Sequence, residues 1–509
     1  MAQALAPTAS YGLADRIGRY PRAWIAAGLT VLALLLRSAW FGDALAGYDE
    51  QFYLLVGERM LHGALPYVDI WDRKPLGLFL IYAGIRLTGG DPVLHFQLAA
   101  AASVAATGYV IALHVRRHHP DVTAFACGAL YVLWTGVMGG ENAQSPLFYN
   151  LLTVSAALLV IDAVPRIATS VGLARAAAAM ALLGLALTVK TTVIFEALFF
   201  GLALVAARWR ARGLQRTIAP ALVWGMAGVL PFALIAAAYA RIGAFDAFWF
   251  ANARSAGLRT EGWDLRNLWS LLLTLAPLGP LLLLALAAPR DDRPIWERRL
   301  LWGWIVAAII AFAAVGYFYH HYALPLLVPL TIAAAPFLTH ARHRVLALAL
   351  FSIFPATQEL VLHRLLVRPD RSDTTAIAAA IPAEVRTGCM LVYGGPPILY
   401  HLTDACLVSR FAFPGHLYLD AEARAIGTDQ AQAVAAAIAR RPAVIVTESH
   451  PSETRRNPRS DALVSAALVQ DYRLRATCGW RYFEESRHTL LIWQRSDLPA
   501  PPAGSPGRC

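Results

Sequence analysis

The sequence predicts an α-helical polytopic membrane protein with about 11 transmembrane helices and a soluble α/β domain at its C-terminal end. Three observations carry that expectation. The 509 residues are 58% hydrophobic and 15% charged, with a mean hydropathy of +0.50, a balance that no ordinary soluble surface accommodates. Apolar runs long enough to cross a hydrocarbon core of about 30 Å recur as far as Leu360. Beyond Val361 the chain changes to short strand-like and helix-like segments in alternation.

The first run, Ala23 to Phe41, follows Arg16, Arg19 and Arg22, which places the N-terminal segment 1–22 in the cytoplasm. An Ala44-Leu45-Ala46 match to a signal-peptidase site is incidental, because the run is long for a signal sequence and contains Arg37. Further runs lie at Val93 to Val115, Thr123 to Met138, Pro146 to Ile161, Ala174 to Thr188, Thr191 to Ala207 and Ala219 to Ala240. Four more lie at Leu268 to Ala288, Leu300 to Val315, Ala323 to Leu338 and Val345 to Leu360.

Leu76 to Leu87 is apolar but spans only about 12 residues, roughly 18 Å as a helix. Counted as a crossing, it would put Arg116 and Arg117 outside, together with the basic loop Arg208 to Arg216. Laid along the outer surface, it leaves every arginine cluster in the cytoplasm. The second arrangement is adopted, with residues 23–360 as the membrane region and 42–91 as a long first periplasmic loop. Gly139 to Ser145, Val189 to Lys190, Arg241 to Asn267 and Gly316 to Tyr322 then share that outer face.

Residues 361–497 contain strand-like Met390 to Tyr393, Ala443 to Thr447, Arg473 to Thr477 and Leu490 to Gln494. Helix-like Ala421 to Arg440 and Asp461 to Asp471 separate them, suggesting a periplasmic α/β domain with a partial Rossmann-like sheet. The Pro-rich tail 498–509 reads as disordered. Cys389, Cys406 and Cys478 fall in this domain, where an oxidising compartment permits a disulfide, Cys389 with Cys406 first. Small buried thiols account for them equally well.

The net charge of +11 does not point to nucleic acid, since the arginines sit in short clusters between apolar runs and no basic face with interleaved aromatics occurs. The outer segments hold the unusual polar chemistry. Asp49 and Glu50 follow the first run, and adjacent carboxylates serve as a general base or hold a divalent cation. Helix N-capping by Asp49 accounts for the pair as readily. Of the 44 basic residues only Lys74 and Lys190 are lysines, and both map to the outer edge. A compact ammonium suits a phosphate as a point charge where a guanidinium fork is too bulky, although a snorkelling residue at a helix end also fits. Glu141, Glu196 and the run Tyr319-His320-His321-Tyr322 add polar groups near the same face.

In order along the chain, these residues resemble the GT-C glycosyltransferases. The likeness is carried by the acidic pair, Asp72-Arg73-Lys74-Pro75-Leu76, Thr188-Val189-Lys190 and Tyr319-His320-His321-Tyr322 with Pro325 and Pro329. Within that superfamily the chain is similar to the bacterial relatives of protein O-mannosyltransferases and to lipid A aminoarabinose transferases. The likeness covers Trp24 to Pro336, and Gly394-Gly395-Pro396-Pro397 with Tyr400 is similar to variants with a periplasmic C-terminal domain.

The resemblance implies transfer of a sugar from a polyprenyl-phosphate carrier to an envelope acceptor, lipid, polysaccharide or protein, at the periplasmic face of a bacterial inner membrane, with inversion. Asp49 would be the base with Glu50 beside it, while Lys74, Lys190 and Arg73 would hold the carrier phosphate. Glu141, His320, His321 and Tyr322 would support the site, and metal dependence stays open. The first-loop pair departs from the family in being Asp-Glu, which leaves open which acid faces the acceptor. A transporter or flippase of lipid-linked sugars is the rival reading, but the internal repeat common in transporters is missing from the sequence. A purely structural envelope protein would leave Asp49, Lys74 and Lys190 without a role.

Overall fold

The computed structural model describes residues 21–259, 265–316, 318–356, 371–449, 455–481, 487–499 and 507–509. Segment 1–20, the boundary at 361, Tyr317 and most of the Pro-rich tail lie outside the described residues.

Helix α1 (Pro21–Arg37) is followed by two helices of the first loop, α2 (Tyr48–Leu61) and α3 (Leu76–Arg86). Then come α4 (Pro92–Val115), α5 (Asp121–Val137), α6 (Ser145–Ala163), α7 (Ser170–Leu187), α8 (Ile194–Arg212) and α9 (Gln215–Arg241). The membrane region closes with α10 (Leu265–Leu275), α11 (Gly279–Leu286), α12 (Ile295–Ala313), α13 (Leu324–Ala333) and α14 (Ala341–Ala356). Each apolar run of the sequence coincides with one of these helices or with a consecutive pair.

Among the described residues, six stretches are long and apolar enough to cross a membrane: Pro92–Val115, Ser145–Arg166, Ser170–Leu187, Thr191–Arg212, Gln215–Arg241 and Trp269–Leu286. The 11 residues of α3 fall short of that length, and this helix packs on α2 and α4. Small residues let the long helices approach closely, as membrane bundles require. A Cβ on Gly128 of α5 would stand 2.7 Å from the Gly108 carbonyl oxygen of α4. Buried Arg37, at the end of α1, donates to the carbonyls of Gly140, Glu141 and Asn142 and so holds the α5–α6 turn against α1.

The C-terminal domain holds α15 (Arg371–Ala380), β1 (Met390–Val392), α16 (Gln430–Ala439), β2 (Val444–Glu448), α17 (Pro458–Asp471), β3 (Tyr472–Arg481) and β4 (Arg487–Arg495). The sheet order is β1-β2-β4-β3. Only β1 and β2 run parallel, while β4 enters antiparallel to both β2 and β3. The partial Rossmann-like expectation is therefore corrected to a mixed sheet, because the β3–β4 hairpin returns β4 beside β2 where a crossover helix would have placed a parallel strand.

Two further expectations meet a definite outcome. Cys389 is bonded to Cys406, and a second disulfide joins Cys478 to Cys509. The tail read as disordered is tied down at its end, since Gly479 N–H donates to the Cys509 carbonyl and Cys509 N–H to that of Thr477. Residues 507–509 thereby cover an edge of β3 that would otherwise present unpaired backbone.

Candidate active site

Helix α2 opens at Gly47, whose φ of 75° lies in the left-handed region. A Cβ there would stand 2.6 Å from Glu50 Oε2 and 2.8 Å from Asn142 Nδ2, so a side chain fits neither the backbone nor the space. Because Gly47 is the N-cap and no side chain caps the helix, the N-capping account of Asp49 does not hold. Asp49 and Glu50 sit in the first turn, where the positive end of the helix favours carboxylates. Successive helical residues diverge by about 100°, and the two acids accordingly face different neighbours. Asp49 Oδ2 lies 4.0 Å from Lys74 Nζ. Glu50 turns inward, where its Oε2 accepts from Gln144 Nε2 at 3.3 Å and its Oε1 is buried without a hydrogen-bond partner among the described residues.

Lys74 and Lys190 come together through the packing of α3. A Cβ on Gly77 would stand 2.6 Å from the Thr188 carbonyl oxygen, so only glycine lets the start of α3 rest on the turn after α7. The strand-like approach to α3 is held by Tyr67, a buried residue at φ 71° whose hydroxyl donates to the Lys74 carbonyl at 3.0 Å. A left-handed tyrosine costs roughly 1–2 kcal/mol, offset here by its packing on Phe79, Tyr239 and Phe248. The Lys74 ammonium stands 5.3 Å from the Tyr53 ring centroid, and Lys190 stands 4.6 Å from that of Tyr322.

The charges tune one another. Burial alone would raise the Asp49 carboxyl, but the charges of Lys74 and Lys190, with a 3.1 Å hydrogen bond from the Tyr53 hydroxyl, hold it below the ordinary carboxylate value. Burial would lower Lys74, yet Asp49 and Asp72 keep it above its ordinary value. Among the described residues Lys190 has no such partner at contact distance. Burial, then repulsion from Lys74, brings it down to about 7. Glu50 is raised well above the usual range by burial and by the Asp49 charge. The site thus pairs an ionised carboxylate with a permanent ammonium and a titratable one.

The remaining candidates are placed as follows. His321 faces Asp49 and Lys190, and burial brings it down to about 3. Its ring meets Tyr322 edge-on with centroids 4.3 Å apart. His320 is exposed, and Glu141 adds its charge to the surroundings of Glu50. Among the described residues no group of three or more His, Cys, Asp or Glu is spaced to hold a metal ion, and Glu141, His320 and His321 do not converge into a ligand set. Arg73 turns away from the lysines: its two terminal nitrogens grip both oxygens of Glu422, and its Nε donates to Ser255 Oγ at 3.2 Å.

Tyr53, Asp72 and Glu422 escaped the sequence reading as site residues. Tyr53 was detectable from its i, i+4 spacing to Asp49 on one helix. Glu422 had no local signal, since it belongs to the C-terminal domain. That domain grips the first loop throughout: Tyr48 Oη donates to the Gly395 carbonyl at 2.9 Å, Arg59 to that of Ala405 at 2.7 Å, and His401 Nδ1 meets Glu58 Oε2 at 2.8 Å. Trp71 packs on His416, with ring centroids 4.7 Å apart. Beside the lysines, a narrow cleft lined by Tyr149, Lys190, Thr192, Glu196 and Tyr322 continues between α8 and α12.

No family model matches the chain, and no curated protein does. Among solved structures, ArnT from Cupriavidus metallidurans, crystallised bound to undecaprenyl phosphate, has the same fold at 17% identity and a TM-score of 0.57, with 95% of this chain and 99% of that one covered. The likeness therefore runs through the bundle and the C-terminal domain alike. The Archaeoglobus fulgidus oligosaccharyltransferase in complex with zinc and sulfate is also found, at 13% identity, a TM-score of 0.39, and 70% and 55% of the two chains. The archaeal AglB of the same organism, with an inhibitory peptide and a dolichol-phosphate, stands at 13%, 0.40, 72% and 58%.

Proposed function

We propose that this chain is an inverting membrane glycosyltransferase that moves a sugar from a polyprenyl-phosphate carrier to an acceptor hydroxyl at the outer face of the bacterial inner membrane. The observation that carries the reading is the meeting of Asp49, Lys74 and Lys190 at one mouth of the bundle. A fold shared with ArnT, itself crystallised with undecaprenyl phosphate, supports it. In this orientation the N-terminus is cytoplasmic and the C-terminal domain periplasmic, as the arginine clusters favour.

The chemistry follows from the charges. Asp49 Oδ2 takes the proton of the acceptor hydroxyl as its oxygen attacks the anomeric carbon. The bond from that carbon to the carrier phosphate breaks on the opposite side, which inverts the configuration. Lys74 and Lys190 stabilise the charge that grows on the departing phosphate. Lys74 is shared between Asp49 and the phosphate, so donor binding draws the ammonium away and makes the carboxylate a stronger base. Asp49 takes this role rather than Glu50, whose buried carboxyl faces Gln144.

The test is complementation of a strain lacking this chain, followed by mass spectrometry of its envelope lipids, polysaccharides and proteins. Wild-type protein should restore a glycosylated product, and Asp49→Asn and Lys74→Ala should not while inserting normally. Restoration by both variants would overturn the assignment.

A further inference from the structure

The end of the bundle opposite Asp49 carries a second basic site. Helix α4 starts beside the first loop and ends at Val115. Just past its end, His118 Nε2 lies 3.2 Å from Glu297 in the first turn of α12. The other end of α12 lines the cleft beside Lys190, so residues 290–299 stand at the far membrane boundary. There Arg290, Ile295, Arg298, Arg299 and Trp302 line an open groove of about 640 Å³.

The groove is built on one helix face, since positions 295, 298, 299 and 302 follow the i, i+3, i+4, i+7 pattern. Two of the neighbouring acids are engaged elsewhere, since Asp291 holds Arg293 at 2.5 Å and His119 at 3.0 Å and Glu297 is buried on His118, while Asp292 is exposed. None of Arg290, Arg298 and Arg299 has a side-chain hydrogen bond or ion pair among the described residues. Three guanidiniums thus line the groove without a bound partner among the described residues, and the exposed carboxylate nearby, Asp292, is not part of its lining. Apolar surface flanks them, with Ile295 60% exposed and Leu283 and Leu286 of the adjoining α11 66% and 61% exposed.

We infer that this groove binds the phosphate of an anionic phospholipid. Guanidinium forks match phosphate oxygens, Trp302 suits the headgroup level, and the exposed leucines at the end of the Trp269–Leu286 span receive the acyl chains. Lipid is favoured over free phosphate because the basic groups lie where an apolar helix surface ends. This site is separate from the proposed transfer site and does not depend on it.

Native mass spectrometry of the full chain, titrated with phosphatidylglycerol or with phosphatidylcholine of the same chains, tests the inference. Wild-type protein should retain phosphatidylglycerol preferentially. Each arginine near an anionic headgroup contributes about fivefold, so Arg299→Gln should weaken the preference about fivefold and Arg290→Gln/Arg298→Gln/Arg299→Gln should abolish it. Arg210→Gln/Arg216→Gln, exposed arginines at the facing ends of α8 and α9 that do not line the groove, should leave it intact. Equal retention of both lipids by the wild type, equal loss in the Arg210→Gln/Arg216→Gln variant, or displacement of the lipid by millimolar inorganic phosphate would overturn it.

Discussion

Replacing Lys190 by arginine should remove a pH dependence from donor binding. In the free protein the Lys190 ammonium titrates at about 7, through burial and then repulsion from Lys74. A donor phosphate favours the charged form, so binding above that pH takes up a proton. The free protein is about half protonated at pH 7, roughly a tenth at pH 8 and roughly a hundredth at pH 9. Donor Kd should therefore be flat below about pH 6 and rise nearly tenfold per unit above pH 7, roughly a hundredfold from pH 6 to pH 9. Lys74 stays charged across this range because Asp49 and Asp72 outweigh its burial, and His321, at about 3, stays neutral. The Lys190→Arg guanidinium keeps its charge throughout, so its binding curve should be level. Glu50→Gln, which removes a carboxyl that burial and the Asp49 charge hold well above the usual range, should keep the wild-type slope. Equilibrium binding of donor without acceptor, measured from pH 6 to pH 9, reads these slopes directly. A level wild-type curve, or a Lys190→Arg curve with the wild-type slope, would refute the argument.

Three other outcomes follow from the geometry. Glu422 is buried between Arg73 and Arg259, and although burial would raise it, Arg73 brings it to about 2 from an ordinary 4.5. That shift corresponds to roughly 3 kcal/mol of stability, present above pH 4.5 and lost as pH falls toward 2. Glu422→Gln leaves two guanidiniums facing each other, whereas Arg73→Gln leaves the carboxylate on Arg259, so the first should lower the unfolding temperature at pH 7 more than the second; equal effects would contradict the paired assignment. Gly77→Val should separate Lys74 from Lys190 by lifting α3 off Thr188, at an overpacking cost of about 1–3 kcal/mol, and sugar transfer should fall more than stability does; unchanged transfer would show that the close contact is dispensable. Unreduced peptide mapping should find Cys389 linked to Cys406 and Cys478 to Cys509, with Cys127 the free thiol. Closing the 17-residue separation should stabilise the domain by about 3 kcal/mol, and fully reduced cysteines in protein taken from cells would place the domain in a reducing compartment.

The parts of this fold that the bilayer dictates were legible in the sequence. A crossing helix must satisfy its backbone internally and face lipid, so each left an apolar run within a few residues of the observed helix. Lys74 and Lys190 stood out because every other cation in the chain is arginine. Other features have no local signature. The strand pairing of β4 is decided by a hairpin and by packing against β2, neither of which is written in its alternation. The helix-like stretch Ala421 to Arg440 shortens to Gln430–Ala439 because Gly427, at φ 80°, breaks it. Arg73 read as a phosphate ligand because it adjoins Lys74, but its partner Glu422 lies 349 residues away. Capping by Gly47 was likewise invisible, since its necessity arises from Asn142 in a distant turn.

The most direct test of the central claim is release of free polyprenyl phosphate from a sugar-labelled donor by the purified protein in vesicles containing envelope acceptor. The wild type should release carrier and move label to the acceptor in equal amounts, with Asp49→Asn slower by about 10²–10⁴-fold. Label that crosses the membrane still attached to its carrier, with no carrier released, would identify a transporter and contradict the account.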